Sequence, residues 1–264
     1  MVNWNMPTGG SEYGKQQTLQ SIHSAFRIIE FLEEEGATGV TALAERLDLP
    51  KSTAHVYLKT LDEIGYVVND GGTYRVSLKF LERGGRVRQA QQIYGAAKLE
   101  IDDLADETNE LANLGTMENG QRVLLYKSEG GEAVHDNTPV GEFTYMHWSS
   151  LGKAILAYLP IEVVDEIIAE HGLPKATDRS IGTREELLDD LERTRARGYA
   201  LEDDERRLGM RAVAVPIRDD DNQVIASISV SGPKNRFGDE RIDDEIVQAL
   251  ESTANVIQLK YVHH

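Results

Sequence analysis

The stretch LPKSTAHVYLKTLDEIGYVVNDGGTYRV, residues 49–76, decides how this chain is read. Pro50 suits the first turn of a helix, where its missing N–H has no intrahelical partner to lose. Ala54, Tyr57, Leu58, Leu61 and Ile64 follow at helical spacing and form one apolar stripe. Gly65 then suits the left-handed residue that closes such a helix. Tyr66-Val67-Val68 and Thr73-Tyr74-Arg75-Val76 read as paired strands. Asn69-Asp70-Gly71-Gly72 between them can supply the positive φ angles of a hairpin turn.

Upstream, Leu19, Ile22, Phe26, Ile29 and Leu32 mark a first helix that Gly36 ends. A second runs from Thr41, read as its N-cap, to Leu47, with Leu43, Ala44 and Leu47 on one face. Asp48-Leu49-Pro50 makes a short break before the third. Helix, helix, turn, helix and hairpin is the order of a winged helix-turn-helix, whose last helix enters the major groove by its N-terminal residues. Lys51, Ser52, Thr53, His55 and Lys59 are placed to reach phosphates or base edges there, and Arg75 on the hairpin to reach the backbone. Read singly, Ser52 and Thr53 serve equally as helix caps and His55 as a solvated side chain. It is the ordered set that points to DNA.

Residues 1–17, with Gly9, Gly10 and Gly14, read as a flexible tail. Residues 18–76 are then the DNA-binding domain, 77–93 a linker helix, and 94–264 a second domain. In the second domain Ile101, Leu104, Ala105, Thr108 and Leu111 mark a helix. Strands are expected near 112–117 and 122–128, an irregular stretch over 130–146, and helices near 150–158, 160–170 and 183–197. Strands return near 199–204, 211–217 and 223–230 before a final helix with Ile242, Ile246, Ala249, Leu250 and Ile257. Helices flanking a mostly antiparallel sheet make this an α+β fold. Over 224–231, Ala226, Ile228 and Val230 point one way and Ser227, Ser229 and Ser231 the other. That hydroxyl row is either hydrogen-bonding equipment or a solvent-facing strand.

The chain has 45 acidic and 28 basic residues, a net charge of −17 over 264 residues. The whole balance is wrong for a nucleic-acid binder, but its distribution is not. Residues 18–86 carry 8 basic and 10 acidic side chains; residues 87–264 carry 19 and 34. The basic residues are 18 Arg and 10 Lys. Acid-rich, Lys-poor surfaces suit an extreme halophile, because multimolar salt screens self-repulsion within about 3 Å. There is no cysteine, which excludes disulfides and thiolate chemistry. No apolar run approaches the roughly 18 residues of a membrane span, and no signal peptide opens the chain, so a cytoplasmic protein is expected.

Leu49-Pro50-Lys51-Ser52-Thr53, Leu58-Lys59-Thr60-Leu61 and Gly65-Tyr66-Val67 together resemble the N-terminal domain of the IclR family of transcription regulators. The later segments resemble the same family: His147 with Leu151-Gly152-Lys153-Ala154 and Leu156-Ala157, Arg197-Gly198-Tyr199-Ala200, Leu208-Gly209, Arg211 through Ile217, and Ser229 through Pro233. The likeness runs over about residues 19–260. It implies a C-terminal GAF-like domain that binds a small effector, without cofactor, metal or catalytic residues. By resemblance the effector meets Ser150, Leu151, Gly152, Glu202, Met210, Ala212, Ser229 and Ser231, with Val140 and Thr144 on a covering loop. The helix around 94–112 is then part of a dimer interface, and the protein a dimer or dimer of dimers. Val56 stands where the family usually has arginine; it either touches a thymine methyl or packs on the helix body. Glu202 stands where the family often has aspartate.

The residues themselves add that a helix start near Ser150 offers free N–H groups to an anion, with Lys153 one turn in as either an added charge or a surface lysine. The expected ligand is a small organic acid: a sugar acid, keto acid or aromatic acid. The competing reading is a small-molecule-binding or metal-dependent enzyme domain with a helix-turn-helix that does not bind DNA. Against it, the chain has no nucleophile elbow, Walker A loop or dinucleotide fingerprint. His135, Asp136, His147 and Glu202 match no metal-ligand spacing.

Overall fold

The computed structural model describes residues 18–262; the expected tail, residues 1–17, lies outside them. The described chain divides between Val87 and Arg88 into two compact units.

The first unit holds α1 (Gln20–Glu35), β1 (Thr38–Gly39), α2 (Val40–Arg46), α3 (Lys51–Glu63), β2 (Val67–Asp70) and β3 (Thr73–Val76). Ile28, Leu32, Leu43, Ala54, Leu58, Val67 and Tyr74 close its core. Only the C-terminal half of the expected α1 stripe is buried; Leu19, Ile22 and Phe26 are exposed. Gly39, not Thr41, is the N-cap of α2. Pro50 is the extended cap residue of α3, not part of its first turn. Asn69 and Asp70 belong to β2, so the turn is the two-residue Gly71-Gly72, at φ 63° and 96°. Positive φ at both central positions matches the right-handed twist of the strands, and glycine adopts it without strain. The sequence reading missed β1, which pairs antiparallel with β3 through Thr38↔Tyr74 and makes a three-stranded wing in the order β1-β3-β2.

Residues 77–93 are not one linker helix. They hold α4 (Lys79–Gln89), which buries no residue, and the start of α5 (Gln92–Thr108). Asn109 ends α5 in the left-handed conformation, so Leu111, expected on the helix, opens β4 (Leu111–Glu118). There follow β5 (Gln121–Glu129), β6 (Phe143–Tyr145), a 3-10 turn (Met146–Trp148), α6 (Ser150–Leu156), α7 (Ile161–His171) and α8 (Arg184–Arg197). The unit ends with β7 (Ala200–Asp203), β8 (Met210–Arg218), β9 (Val224–Pro233), α9 (Asp239–Arg241), a π turn (Ile242–Ile246) and α10 (Val247–Val262).

The six strands form one antiparallel sheet in the order β6-β5-β4-β9-β8-β7. Strand alternation then decides the layers. Ala112, Leu114, Val213, Val215, Ala226, Ile228 and Val230 face α5 and α10. The opposite face takes α6, whose seven residues are all buried. The apolar face of α5 is therefore committed to the core of its own chain, leaving Leu99 as its exposed large apolar residue.

Candidate functional site

In the DNA-binding unit the buried Ala54, Leu58 and Leu61 fix the rotation of α3. Lys51, Ser52, His55, Val56 and Lys59 are exposed on its other side, with Thr53 half-buried between. Val56 is 62% exposed, so it does not pack on the helix body. Lys59 makes only a loose ion pair with Glu63, 3.7 Å away and exposed. On the wing, Arg75 Nε lies 3.2 Å from Asp70 Oδ2. Exposed pairs of this kind contribute on the order of 0–1 kcal/mol, so both cations can be recruited by phosphates.

The second unit encloses a cavity of about 300 Å³ on the α6 face of the sheet. Strand register builds its wall. Leu111 pairs with Ser231, Ser231 with Ala212, and Ala212 with Glu202, so one rung crosses four strands. On a neighbouring rung Asn113 pairs with Ser229. All six of these residues line the cavity. Ser229 is buried, which removes the solvent-facing reading of that strand. Asn113 Nδ2 donates to Ser229 Oγ and Ser231 Oγ, both at 3.4 Å, so each hydroxyl keeps its own proton to donate inward. Ser227, the third of the row, instead donates to the Leu151 carbonyl at 2.9 Å and holds α6 against the sheet.

Ser150, Leu151 and Met210 also line the cavity, as expected. Val140, Thr144 and Gly152 do not. Val140 is exposed, and Thr144 pairs with Arg122 across β6 and β5. Gly152 is a packing residue: a Cβ there would lie 2.0 Å from the Met146 carbonyl oxygen. Its N–H is already donated to Ser149 Oγ at 3.1 Å, which caps α6. Lys153 is neither a surface lysine nor a cavity residue. It is completely buried, with Nζ 2.7 Å from Glu205 Oε1 and 3.2 Å from Asp190 Oδ2.

Glu202 is 5% exposed. Its Oε1 accepts from the backbone N–H of Glu205 at 2.8 Å and Arg206 at 3.1 Å. Burial pushes its carboxyl up to about 7. The four residues weighed as metal ligands are not gathered. His135, Asp136 and Glu202 line the cavity, whereas His147 turns away to the Pro174 carbonyl at 2.9 Å. No group of three or more His, Cys, Asp or Glu side chains among the described residues is arranged to hold a metal ion.

The sequence reading passed over Arg122, Arg206 and Arg207, which bring positive charge to the wall. Arg122 is 1% exposed. Burial, then the neighbouring Arg206, lowers its pKa to about 10. Arg122 Nη2 and Arg206 Nη2 both donate to Glu142 Oε2, each at 2.8 Å. Nothing local in the sequence marks these partners, which lie 20 and 64 residues apart.

A winged helix-turn-helix in one chain with a sheet domain that encloses a polar cavity defines the class of ligand-responsive transcription regulators. The family models agree. The IclR helix-turn-helix domain matches residues 21–71, and the C-terminal domain of bacterial IclR transcriptional regulators matches residues 86–259. The chain belongs to the IclR family of DNA-binding transcription regulators, a non-enzymatic family. It is 31% identical over 255 residues to the "Probable HTH-type transcriptional regulator ArcR" of Halobacterium salinarum, covering 94% of this chain and 95% of that protein. The regulator KdgR of Escherichia coli is 30% identical over 249 residues, covering 94% of each. The crystal structure of the IclR protein of Thermotoga maritima superposes with a TM-score of 0.79 at 28% identity, over 92% of this chain and 99% of that one. No helix among the described residues is long and apolar enough to cross a membrane.

Proposed function

We propose that this regulator reads operator DNA through Lys51, Ser52, Thr53, His55, Val56 and Lys59, steadied by Arg75, and responds to a small organic acid in the cavity of its second unit. The observation that carries the effector reading is the chemistry of that cavity: a serine pair with protons to donate, Ser229 buried and Ser231 half-buried, set in one wall with arginines. Hydroxyl and guanidinium donors together suit an acid that also bears hydroxyl or carbonyl oxygens.

The test is operator affinity, measured with DNA flanking the protein's own gene, with and without candidate acids. Lys51→Ala or His55→Ala should weaken specific binding by about 1–3 kcal/mol each. Ser229→Ala with Ser231→Ala should leave DNA binding intact and abolish the response. Unchanged affinity in the first pair, or a normal response in the second, removes the corresponding half of the proposal. The series is best run from about 0.2 to 2 M KCl. The acidic charge, and a relative in Halobacterium salinarum, support function at high salt. With a net charge of only −2 over residues 18–86, base-edge and apolar contacts should give a shallower slope than the roughly −0.9 per neutralised phosphate of an ordinary binder. A steep slope would overturn that part.

Self-association belongs to the same proposal. One recognition helix reads only a few base pairs, and a two-fold axis doubles the site. The exposed Leu19, Ile22 and Phe26 of the α1 stripe, with Leu78, Leu81 and Leu99, are among the apolar side chains open to pairing. Light scattering should show more than the 29.4 kDa of one chain at micromolar concentration; a monomer would refute it.

A further inference from the structure

The cavity has two polar stations. Asn113, Ser229 and Ser231 hold one. Arg122 enters from the other: its backbone pairs with Met117, four residues along β4 from Asn113, or about 13 Å at the strand rise. The two stations differ in charge. The serine station is neutral, and the N–H of Gly152 at the start of α6 is already taken by Ser149. At the other station two guanidinium groups share the hydrogen bonds of the single carboxylate of Glu142; Asp136 adds a second negative charge and Arg207 a third guanidinium to the same cavity wall.

Arg122 is also short of partners. Of its five N–H donors, Nη2 serves Glu142, while Nε is buried and makes no hydrogen bond. The side chain is walled in by protein except where it borders the cavity. A buried, partly unsatisfied guanidinium is costly in the absence of an anion. The nearby carboxylate of Asp136 adds a favourable charge but no hydrogen bond to Arg122: Asp136 Oδ1 accepts from the N–H of Thr138 at 3.1 Å and from its hydroxyl at 2.8 Å.

We propose that Arg122, backed by Arg206, forms the anion subsite of the cavity, so that the acidic group of the effector docks there and its hydroxyl or carbonyl end faces Ser229 and Ser231. This rests on the effector reading above and gives it a direction: the carboxylate goes to the arginine station, not to the start of α6. Glu142 and Arg206 are positioning residues that aim Arg122. Arg122 is the residue that distinguishes an acid from its neutral amide.

Thermal shift and calorimetry with malonate as the probe and malonamide as its neutral counterpart, at constant ionic strength, test this. Malonate at tens of millimolar should raise the melting temperature of the wild type by mass action, and malonamide should not. In Arg122→Gln, half-saturation by malonate should be weaker by roughly tenfold or more, the loss expected for a hydrogen bond to a charged group. The unliganded Arg122→Gln protein should melt no lower than the wild type, because an unsatisfied buried charge has been removed; this separates loss of the subsite from loss of the fold. Arg122→Lys, which keeps the charge but not the fork, should fall between. Equal malonate binding by wild type and Arg122→Gln would overturn the subsite. If malonate binding is lost in Ser229→Ala/Ser231→Ala but retained in Arg122→Gln, the cavity still takes acids and only the subsite falls. If malonate and other short carboxylic acids all fail to shift the wild type, both readings fall.

Discussion

Lys153→Ala is expected to destabilise the second unit by about 3–5 kcal/mol, the cost of stranding buried charges by removing their partner. Among the described residues Lys153 is the sole cation within 3 Å of Glu205, and it also holds Asp190 at 3.2 Å. Arg193 remains 3.2 Å from Asp190, but among the described residues Glu205 makes no ion pair with a second cation. Burial already raises the Glu205 pKa, so without Lys153 this carboxyl must take up a proton or stay as an isolated charge. The loss should therefore be greatest at pH 8 and shrink toward pH 5, where protonation relieves it. Effector response should fall with stability, because the N–H of Glu205 is one of the two that hold Glu202 in the cavity wall. The DNA contacts proposed for residues 51–75 do not involve Lys153. Urea unfolding at the two pH values decides it: a free-energy change under about 1 kcal/mol at pH 8 would mean that the three charges are not coupled as their distances indicate.

Glu202→Gln should act in the opposite sense. With its pKa raised from the ordinary 4.5 to about 7, folded Glu202 binds a proton that the unfolded chain has released between those values. Its contribution to stability is complete below pH 4.5 and lost as pH rises through 7. A displacement of that size corresponds to about 3 kcal/mol at 1.36 kcal/mol per pKa unit. Glutamine keeps an oxygen for the N–H groups of Glu205 and Arg206 and carries no charge to bury. The variant should match the wild type below about pH 4 and exceed it by up to about 3 kcal/mol at pH 8, with a flatter profile between. A variant that is less stable than the wild type at pH 8 would show that Glu202 is held as a carboxylate.

The DNA-binding unit was legible almost residue by residue. Its helices and hairpin come from short-range signals: the spacing of Ala54, Leu58 and Leu61, the glycine after α3, and two glycines that can turn a hairpin. What was missed there is β1, whose two residues pair with β3 across 36 positions and carry no strand pattern of their own. In the second unit five of the six strands fell within about three residues of their expected places, and the alternation of Ser227, Ser229 and Ser231 was visible; β6, Phe143–Tyr145, lies in the stretch expected to be irregular and was missed. The clue to Lys153 was also present: Ser150 to Leu156 is apolar nearly all round, and a helix of that kind is buried together with its one lysine.

By itself the sequence determined most of the elements, the family and the alternation along β9, because periodicity, caps and turn residues act within a few positions of the chain. Only the tertiary structure decided which face is cavity and which is core, that Gly152 packs while Arg122 lines the cavity, and that Lys153 and Glu202 are buried. Charge and burial are properties of neighbours in space. Glu142, Arg122 and Arg206 meet because β5, the segment before β6 and the loop after β7 converge, and no local pattern encodes that meeting. Coulomb energy and desolvation depend on such distances, so a side chain's chemistry is set only when the fold closes around it.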